Sequence, residues 1–321
     1  MPNNLKILVI RLSSIGDIIL ITPVIRCLKS QLNAEIDFLT KSQYKDLLAS
    51  NENIDRIFSF DQKNKETIET LRSNNYHLVI DLQNNFRSFK IRFFLGIKSY
   101  VFSKENFKRH LLIYFGVNLL NNHIVDRYFK TVKKLNIFND NKGIDYRLIN
   151  PLKIDFDTDQ DYIAWCVGGA HNKKQLSATQ IYNVISRIDI PVVLLGADKD
   201  QQISSEVIKK SANNVYDFCG KTSIDDSAHL MKLSKLVLTN DTGMMHIACA
   251  FNVPIISFWG CTKPSLGFSP YMANDTSVKI ITGVSKRPCS KHGKYCRIHA
   301  NGCVKEISAE RIYDAVISLL K

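Results

Sequence analysis

Residues 236–250 read LVLTNDTGMMHIACA, an apolar strand followed by a polar turn and then by apolar residues at helical spacing. A polar turn between a strand and a helix lies at the carboxyl edge of a sheet, where open α/β sheets bind their ligands. The helix start offers unpaired backbone N–H groups that suit a phosphate, and Thr242 and Gly243 let the backbone approach it closely. His246 follows Gly243 by one helical turn and is expected to face the same ligand. The alternative for this stretch is a capped helix that buries a histidine.

Predicted strands and helices alternate along the whole chain, which indicates an α/β protein with two doubly wound, mostly parallel sheets. The first half has a predicted helix over 17–32, which Pro23 kinks or breaks, and predicted strands at 7–10, 36–39, 54–60 and 78–82. The second half has a last helix over 308–320 and predicted strands at 163–167, 191–195, 215–218, 236–239, 253–259 and 278–282. The Asn- and Asp-rich stretch 136–161 is the predicted linker. We therefore place an N-terminal domain at 1–152 and a C-terminal domain at 153–305.

The composition is that of a globular protein, since 45% of the 321 residues are hydrophobic. The sequence has no run of about 18 apolar residues, the length that spans a membrane. Its first residues lack the apolar core of a secretory signal, so we expect a cytoplasmic protein. Eight cysteines in that compartment are expected to be thiols rather than disulfides.

The formal net charge is +13, and much of it lies between residues 83 and 147, where 13 Lys or Arg stand against 4 Asp or Glu. A basic surface of this kind fits nucleic acid, an anionic membrane surface or a highly phosphorylated acceptor. A general solubility charge is the alternative. The sequence contains no recognised nucleic-acid-binding motif, so we expect no nucleic-acid partner.

The turn after the first strand reads RLSSIGD at 11–17 and lacks the G-x-G-x-x-G spacing of dinucleotide-binding folds. The sequence also has no P-loop motif, and both absences argue against a nicotinamide dehydrogenase and a P-loop NTPase. The turn places Ser13, Ser14 and Asp17 at the carboxyl end of the strand. Asp17 is either the N-cap of the next helix or a general base for an acceptor hydroxyl. The helix N-terminus would keep Asp17 ionised, as a base requires, and would also make it a weak base.

Two turns of the second half carry residues that suit a nucleotide. Residues 168–177 read GGAHNKKQLS directly after a predicted strand, and glycines followed by lysine suit a pyrophosphate. The next strand ends in GADKD at 196–200. An acid at a strand end accepts hydrogen bonds from ribose hydroxyls in nucleotide-binding α/β folds. An ordinary turn is the alternative for this second stretch.

Cys289, Cys296 and Cys303 recur every seven residues, with His292 and His299 between them. We call residues 289–303 the cysteine tail. Its spacing includes no C-x-x-C pair and matches no standard zinc pattern, so a packed loop of buried thiols is favoured over a metal site. We therefore predict no metal, and the role of the cysteine tail stays open.

Three motifs together resemble glycosyltransferase family nine, the ADP-heptose:lipopolysaccharide heptosyltransferases. The first is RLSSIGDIILITP at 11–23 and the second is YHLVIDLQ at 76–83. The third and most specific combines NDTGMMH at 240–246 with FWGCT at 258–262. The resemblance runs nearly the full length of the chain. In the family a Trp-Pro pair commonly follows the phosphate-binding lysine, whereas residues 175–177 here are Gln, Leu and Ser. This difference leaves the donor sugar and its nucleotide open.

The resemblance implies a GT-B fold, in which two Rossmann-like domains face each other across a cleft and the last helix, 306–321, packs back on the first domain. It implies an inverting, metal-independent enzyme without a cofactor, whose donor substrate is expected to be ADP-heptose. The acceptor would be a lipopolysaccharide core, an anionic and lipid-linked molecule at the inner membrane surface. The enzyme would be cytoplasmic or peripherally attached to that membrane, without a transmembrane segment.

The same resemblance implies roles for individual residues. Asp17 would take the proton of the attacking acceptor hydroxyl, and Lys174 would contact the donor phosphates and stabilise the leaving diphosphate. The other residues implied at the donor are Gly169, Ala170, Asp200, Thr222, Asp241, Thr242, Gly243 and His246. The residues expected at the acceptor are Ser13, Ser14, Arg87, Lys90, Arg92, Lys104, Lys108 and Arg109.

Two other functions stay open at this point. One keeps the fold and changes the reaction to that of a nucleotide-sugar epimerase or hydrolase. The other is a catalytically inactive, basic binding module. The acceptor residue, the linkage and the oligomeric state do not follow from the sequence.

Overall fold

The computed structural model divides the chain into two units. Unit 1 comprises Met1–Glu105 and Asn122–Ile149, and unit 2 comprises Asn106–Asn121 and Asn150–Lys321. The residues that the structure describes are 5–61, 65–211, 214–285 and 288–321.

Unit 1 is built on a sheet of five parallel strands. They are β1 (Lys6–Ile10), β2 (Glu35–Thr40), β3 (Arg56–Ser59), β4 (Leu78–Asp81) and β5 (Ser99–Val101). Their spatial order is β3-β2-β1-β4-β5. The central strand β1 is almost entirely apolar and buried, as expected of a parallel strand that is covered on both faces. The strand β5 was not predicted, because three half-buried residues at the sheet edge form no apolar run.

The helix predicted over 17–32 is broken in two. The first helix, α1, ends at Ile19, and Pro23 lies in the first turn of α2. Proline is tolerated there because the N–H it lacks would have no helical partner. The helices up to residue 132 are α1 (Ile15–Ile19), α2 (Thr22–Leu32), α3 (Lys65–Ser73), α4 (Phe86–Leu95), α5 (Asn106–His110) and α6 (Ile124–Val132), of which α5 belongs to unit 2.

Unit 2 is built on a sheet of six parallel strands. They are β6 (Ile163–Cys166), β7 (Val192–Leu195), β8 (Val215–Asp217), β9 (Leu236–Asn240), β10 (Ile255–Trp259) and β11 (Val278–Ile281). Their spatial order is β11-β10-β9-β6-β7-β8. The later helices are α7 (Ala178–Ile185), α8 (Gln201–Ile208), α9 (Ile224–Leu233), α10 (Gly243–Cys249) and α11 (Ala309–Leu320). All strands predicted in this half are present, within two residues at each end.

Each sheet has one point where the strand order reverses. In unit 1 this point lies between β1 and β4, where Ile10 pairs with Asp81. In unit 2 it lies between β6 and β9, where Cys166 pairs with Thr239. Loops that leave two neighbouring parallel strands at such a point diverge and leave a crevice for a ligand. The fold therefore fixes one candidate site at each reversal point.

Residues 106–121 belong to unit 2, which differs from the predicted N-terminal domain over 1–152. This segment contains α5 and a π-helical turn, Leu111–Phe115. Leu112 and Leu120 are buried with Leu266 in one apolar cluster. A contact between residues so far apart in the chain leaves no local sequence signal, so the prediction missed it.

The last helix, α11, packs in the core of unit 2, and the packing of residues 306–321 on the first domain stays a prediction. Ile312 and Val316 lie one turn apart on α11 and are fully buried in the same cluster as Ile181 of α7. Apolar residues at this spacing predict a buried helix face but do not specify the surface that covers it.

The predicted linker, 136–161, contains no helix or strand and is described throughout. Within the four described ranges, no helix combines the length and the apolar character that crossing a membrane requires.

Candidate functional site

The Asp17 cluster of unit 1 lies where β1 ends. Ser14 is the N-cap of α1, so Asp17 is not the N-cap but the third residue of the helix. Its Oδ2 atom accepts hydrogen bonds from the Ser14 backbone N–H at 3.4 Å and from the Ser14 hydroxyl at 3.0 Å. This local arrangement fixes the carboxylate beside the start of the helix.

Two further side chains hold the other oxygen of Asp17. The Nη2 atom of Arg11 lies 2.7 Å from Oδ1, and the Tyr128 hydroxyl of α6 donates to the same oxygen at 3.3 Å. Arg11 is itself held in place, because it donates to the carbonyls of Leu82 and Ser13. Tyr128 was not predicted as a site residue, since its distance along the chain from Asp17 hides the contact from any local pattern.

The environment of Asp17 favours its ionised form. Burial alone would raise the pKa of its carboxyl, but the positive charge of Arg11 and the hydrogen bonds from Ser14 outweigh that effect. The pKa of Asp17 therefore lies below its ordinary value. Burial raises the pKa of Tyr128, so that hydroxyl stays protonated and donates. Because 22% of the Asp17 side chain is exposed, the carboxylate remains accessible to a small reacting group.

The loop after β4 supports the loop that carries Asp17. Gln83 Oε1 accepts hydrogen bonds from the backbone N–H groups of Leu12 at 2.9 Å and of Ser13 at 3.2 Å. Asp81, which is fully buried, accepts from the Gln83 N–H at 2.9 Å and from Arg92 Nε at 2.8 Å. The motif at 76–83 therefore supports the loop formed by the motif at 11–23.

The predicted acceptor residues are divided between the two units. Arg92 is paired with the buried Asp81, and Arg109 is itself buried, so neither is an open surface cation. Lys108 and Arg109 belong to unit 2, whereas the remaining candidates belong to unit 1. Those remaining candidates are the exposed Ser14, Arg87 and Lys90 and the half-buried Ser13 and Lys104.

The main polar contact of unit 2 joins the loops after β6 and β9. Lys174 Nζ lies 2.6 Å from Asp241 Oδ2, and both side chains are about nine-tenths buried. The Thr262 hydroxyl donates to the same oxygen at 2.7 Å. Asn240 donates to the backbone carbonyls of Val167 at 3.0 Å and Gly168 at 2.9 Å, which ties the two loops together.

The charges around this pair create a positive environment. Lys199 Nζ donates to the backbone carbonyl of Gly169 at 2.5 Å. Burial, followed by the charges of Lys174, Lys199 and Lys294, lowers the pKa of His171. The three nearby cations disfavour the protonation of His171 because they produce a positive field there. The same field stabilises an anion at this place. Of the predicted loop residues, Gly169 is buried and Ala170 is exposed.

Asp200 lies beneath the glycine loop rather than at its surface. Its exposed fraction is 3%, and it accepts hydrogen bonds from Gln175 Nε2 at 2.7 Å and from the Ala197 N–H at 3.0 Å. A Cβ atom on Gly168 would lie 2.5 Å from Asp200 Oδ2, so only glycine fits above it. These contacts fix Asp200 beneath the glycine loop, and its expected contact with the nucleoside stays a prediction. Thr222 is half-buried, and its hydroxyl lies 2.8 Å from that of Ser227.

The polar turn at 240–242 leads into α10. Thr242 is the N-cap, and the helix begins at Gly243, so the first N–H groups of α10 have no partner within the helix. Thr242 and Gly243 are half-buried, whereas His246 is 3% exposed. The His246 side chain therefore lies within the body of unit 2.

The cysteine tail packs directly behind the lysines of the glycine loop. A Cβ atom on Gly293 would lie 2.5 Å from Lys174 Cγ, and one on Gly302 would lie 2.3 Å from the backbone oxygen of Lys173. Both glycines also have positive φ angles, of 76° and 94°. All eight cysteines are free thiols, as predicted.

Comparison with known proteins identifies the family. The family model for glycosyltransferase family 9 (heptosyltransferase) matches residues 65–297. The chain belongs to glycosyltransferase family 9. This confirms the resemblance inferred from the three motifs, and this family 9 protein is therefore a heptosyl-transferring enzyme.

Curated relatives and solved structures agree with this assignment. The family 9 enzyme is 26% identical over 291 residues to lipopolysaccharide heptosyltransferase 1 of Campylobacter coli, which covers 80% of this chain and 84% of that protein. It is 23% identical over 317 residues to lipopolysaccharide heptosyltransferase 2 of Escherichia coli K12, and the alignment covers 88% of this chain and 90% of that protein. A family 9 glycosyltransferase structure from Veillonella parvula DSM 2008 matches with a TM-score of 0.82 at 20% identity. The match covers 98% of this chain and 97% of that chain. The structure of E. coli ADP-heptose lps heptosyltransferase II matches with a TM-score of 0.73 at 20% identity, covering 98% of both chains. The predicted α/β fold of the GT-B class is confirmed.

The buried position of Asp200 generates a prediction about stability. Replacing Asp200→Ala leaves the buried Gln175 amide and the part-buried Ala197 N–H without their acceptor, which should lower the free energy of unfolding by about 1–3 kcal/mol. Chemical denaturation without any ligand measures this effect. Asp198→Ala, at an exposed position of the same turn, is the control and should change stability by less than about 0.5 kcal/mol. If the two variants are equally stable, the hydrogen bonds of Asp200 do not stabilise the fold, and a role as a ligand contact is favoured instead.

Proposed function

We propose that this family 9 enzyme transfers heptose from ADP-heptose to the core of lipopolysaccharide, with inversion at the anomeric carbon and without a divalent metal. Unit 1 binds the acceptor, and unit 2 binds the donor. The observation that carries the proposal is the Asp17 carboxylate, which is held ionised at the end of β1 by Arg11, Ser14 and Tyr128. Family membership and the names of the curated relatives support the choice of donor and acceptor.

In the proposed reaction Asp17 accepts the proton of the acceptor hydroxyl. The acceptor oxygen forms a bond to the anomeric carbon of heptose while the bond from that carbon to the phosphate oxygen breaks, and ADP leaves. A single displacement of this kind inverts the configuration. Because the pKa of Asp17 is low, the carboxylate is a weak base, and its contribution depends on its fixed position.

The Lys174 ammonium stabilises the charge that develops on the departing diphosphate. An ammonium group has three N–H donors, and Asp241 occupies one, so two remain for phosphate oxygens. The backbone of Gly169 and Ala170 and the N–H groups of Asp241, Thr242 and Gly243 complete the proposed phosphate site. The charges of Lys199 and Lys294, which act on the neighbouring His171, support a phosphate site that needs no divalent cation.

The donor assignment predicts a selective nucleotide titration. ADP should bind at least tenfold more tightly than UDP or GDP, and magnesium should change its affinity by less than about twofold. Lys174→Met should weaken ADP binding by about 10–100-fold, because it removes a charge-assisted hydrogen bond. Isothermal titration calorimetry measures all of these affinities, with Lys173→Met as the neighbouring control. Preference for UDP or GDP would rule out ADP-heptose as the donor.

The role of Asp17 predicts a variant that binds donor but turns it over slowly. Asp17→Asn should lower the rate of transfer by about 10²–10⁴-fold while the ADP affinity changes by less than about threefold. Asp46→Asn, an exposed carboxylate of unit 1, is the control. The acid limb of the pH profile of kcat/KM should lie below the ordinary Asp pKa of about 3.9. Arg11→Gln should move it to higher pH, because the charge of Arg11 favours the carboxylate.

Three results would contradict this role of Asp17. If Asp17→Asn retains more than about a tenth of the activity, the base lies elsewhere. If Arg11→Gln leaves the acid limb unchanged, another group sets that limb. If ADP is released from ADP-heptose equally fast without an acceptor, the enzyme is a hydrolase rather than a transferase.

The helix α4 presents a face that fits the surface of an anionic membrane. Its inner face, Ser88, Ile91 and Leu95, is buried in unit 1. Its outer side exposes four phenylalanines, to between 50% and 72%, which are Phe86, Phe89, Phe93 and Phe94. Exposed aromatic rings beside basic side chains are typical of helices that lie in the interface of a membrane.

The basic residues of α4 are placed to contact anionic headgroups. Lys90 Nζ lies 4.6 Å from the centre of the Phe86 ring, and Arg87 is exposed beside it. Arg92 is excluded from this surface because it pairs with the buried Asp81. We propose that α4 docks the enzyme on the membrane that carries its lipid-linked acceptor.

Vesicle sedimentation tests the docking of α4. The enzyme should bind vesicles of mixed phosphatidylglycerol and phosphatidylcholine and should bind pure phosphatidylcholine weakly. Phe86→Ser with Phe93→Ser should weaken binding by about tenfold or more, and Arg87→Glu with Lys90→Glu should weaken only the anionic case. Phe138→Ser, which removes an equally exposed phenylalanine elsewhere in unit 1, is the matched control. Unchanged binding by both double variants would contradict the assignment of this surface.

A further inference from the structure

Four thiols from two separate segments of unit 2 converge on one point. Cys261 follows β10 directly, and the other three belong to the cysteine tail. The sulfur atoms of Cys261, Cys296 and Cys303 all lie within 4.8 Å of one another, and Cys289 Sγ lies 3.8 Å from Cys296 Sγ. Cys261, Cys289 and Cys303 are fully buried, and Cys296 is half-buried. No disulfide joins them, since all eight cysteines of the chain are free.

The spacing of the sulfurs is close to that of a tetrahedral metal centre. Four thiolates about 2.3 Å from a zinc ion lie about 3.8 Å from one another. The Cys289–Cys296 distance of 3.8 Å equals this value, and the Cys296–Cys303 distance of 3.0 Å requires only a small outward movement of one side chain. The main chain joins the two segments, because the Cys289 N–H donates to the Cys261 carbonyl at 2.8 Å.

Backbone amides already point at two of the sulfurs. The Arg297 N–H donates to Cys289 Sγ at 3.3 Å, and the His299 N–H donates to Cys296 Sγ at 3.3 Å. Hydrogen bonds from the main chain stabilise the negative charge of a thiolate and fix its direction toward a metal.

We propose that Cys261, Cys289, Cys296 and Cys303 form a structural site for one thiophilic metal ion, either zinc or iron. Four protein ligands fill a tetrahedral coordination sphere and leave no open position for a substrate, so the site is structural rather than catalytic. The proposal departs from the sequence prediction of no metal, which considered the three cysteines of the tail without Cys261. The metal site does not depend on the proposed function.

A metal at this place would hold the cysteine tail against the glycine loop. Gly293 lies between the first two ligands of the tail and packs on Lys174, and Gly302 lies beside the last ligand and packs on Lys173. Cys261 Sγ itself lies 3.5 Å from the Lys173 carbonyl. The metal would therefore fix the backbone that carries Lys174, and only this consequence rests on the proposed function.

Metal analysis of the purified full-length protein tests the proposal. Inductively coupled plasma mass spectrometry should find one zinc or iron ion per chain, and either metal supports the site. Reconstitution with Co²⁺ should produce the intense thiolate-to-cobalt charge-transfer band of a tetrahedral thiolate site. Cys296→Ser and Cys303→Ser should each lower the metal content by about tenfold or more. Cys249→Ser, a buried thiol of unit 2 outside the cluster, should retain the full content and is the matched control.

If a serine variant fails to fold, the metal content of the wild-type protein still decides the test. Less than a tenth of a metal ion per chain, even after reconstitution with Zn²⁺ or Fe²⁺ under reducing conditions, would overturn the proposal. A disulfide between Cys296 and Cys303 in freshly purified protein would also overturn it, as would normal metal content in both serine variants. If the metal is present and ADP does not bind, the proposed function fails while the metal site stands.

Discussion

The parallel pairing of β6 with β9 is the constraint on which the arrangement of unit 2 depends. The register that places Cys166 beside Thr239 brings the two following loops to the same edge of the sheet. Lys174 and Asp241 meet only because of this pairing, and Asn240 reinforces it by donating to the carbonyls of the neighbouring loop. The pairing of β1 with β4 does the same in unit 1, where Gln83 braces the loop that leads to Asp17.

Each unit places an ion pair between side chains of the loops at its reversal point. Arg11 with Asp17 and Lys174 with Asp241 are both largely shielded from water, so removal of one partner would leave an uncompensated charge. The two pairs differ in what they leave available. In unit 1 the group is a carboxylate that stays ionised, whereas in unit 2 it is a largely buried ammonium that is paired with Asp241. Such a division suits proton removal in one unit and phosphate binding in the other.

Much of the fold and part of the site follow from the sequence. Ten of the eleven strands within the described ranges were predicted, most of them from apolar runs, because a parallel strand that is covered on both faces is continuously apolar. Pro23 predicted the break between α1 and α2. The motifs around Asp17 and Asp241 predicted the family. These features are local, so a single stretch of sequence contains the whole signal.

The remaining features were decided by the tertiary structure, because they depend on contacts between distant residues. Tyr128 reaches Asp17 from another helix, and Cys261 joins three thiols that looked incomplete on their own. Arg92 looks like a surface cation in the sequence, but in unit 1 its side chain forms an ion pair with the buried Asp81. The sequence by itself determined the elements, their order and the loops that carry chemistry. Only packing decided which side chains meet in those loops and which charges remain at the surface, since periodicity specifies a buried face but not its partner.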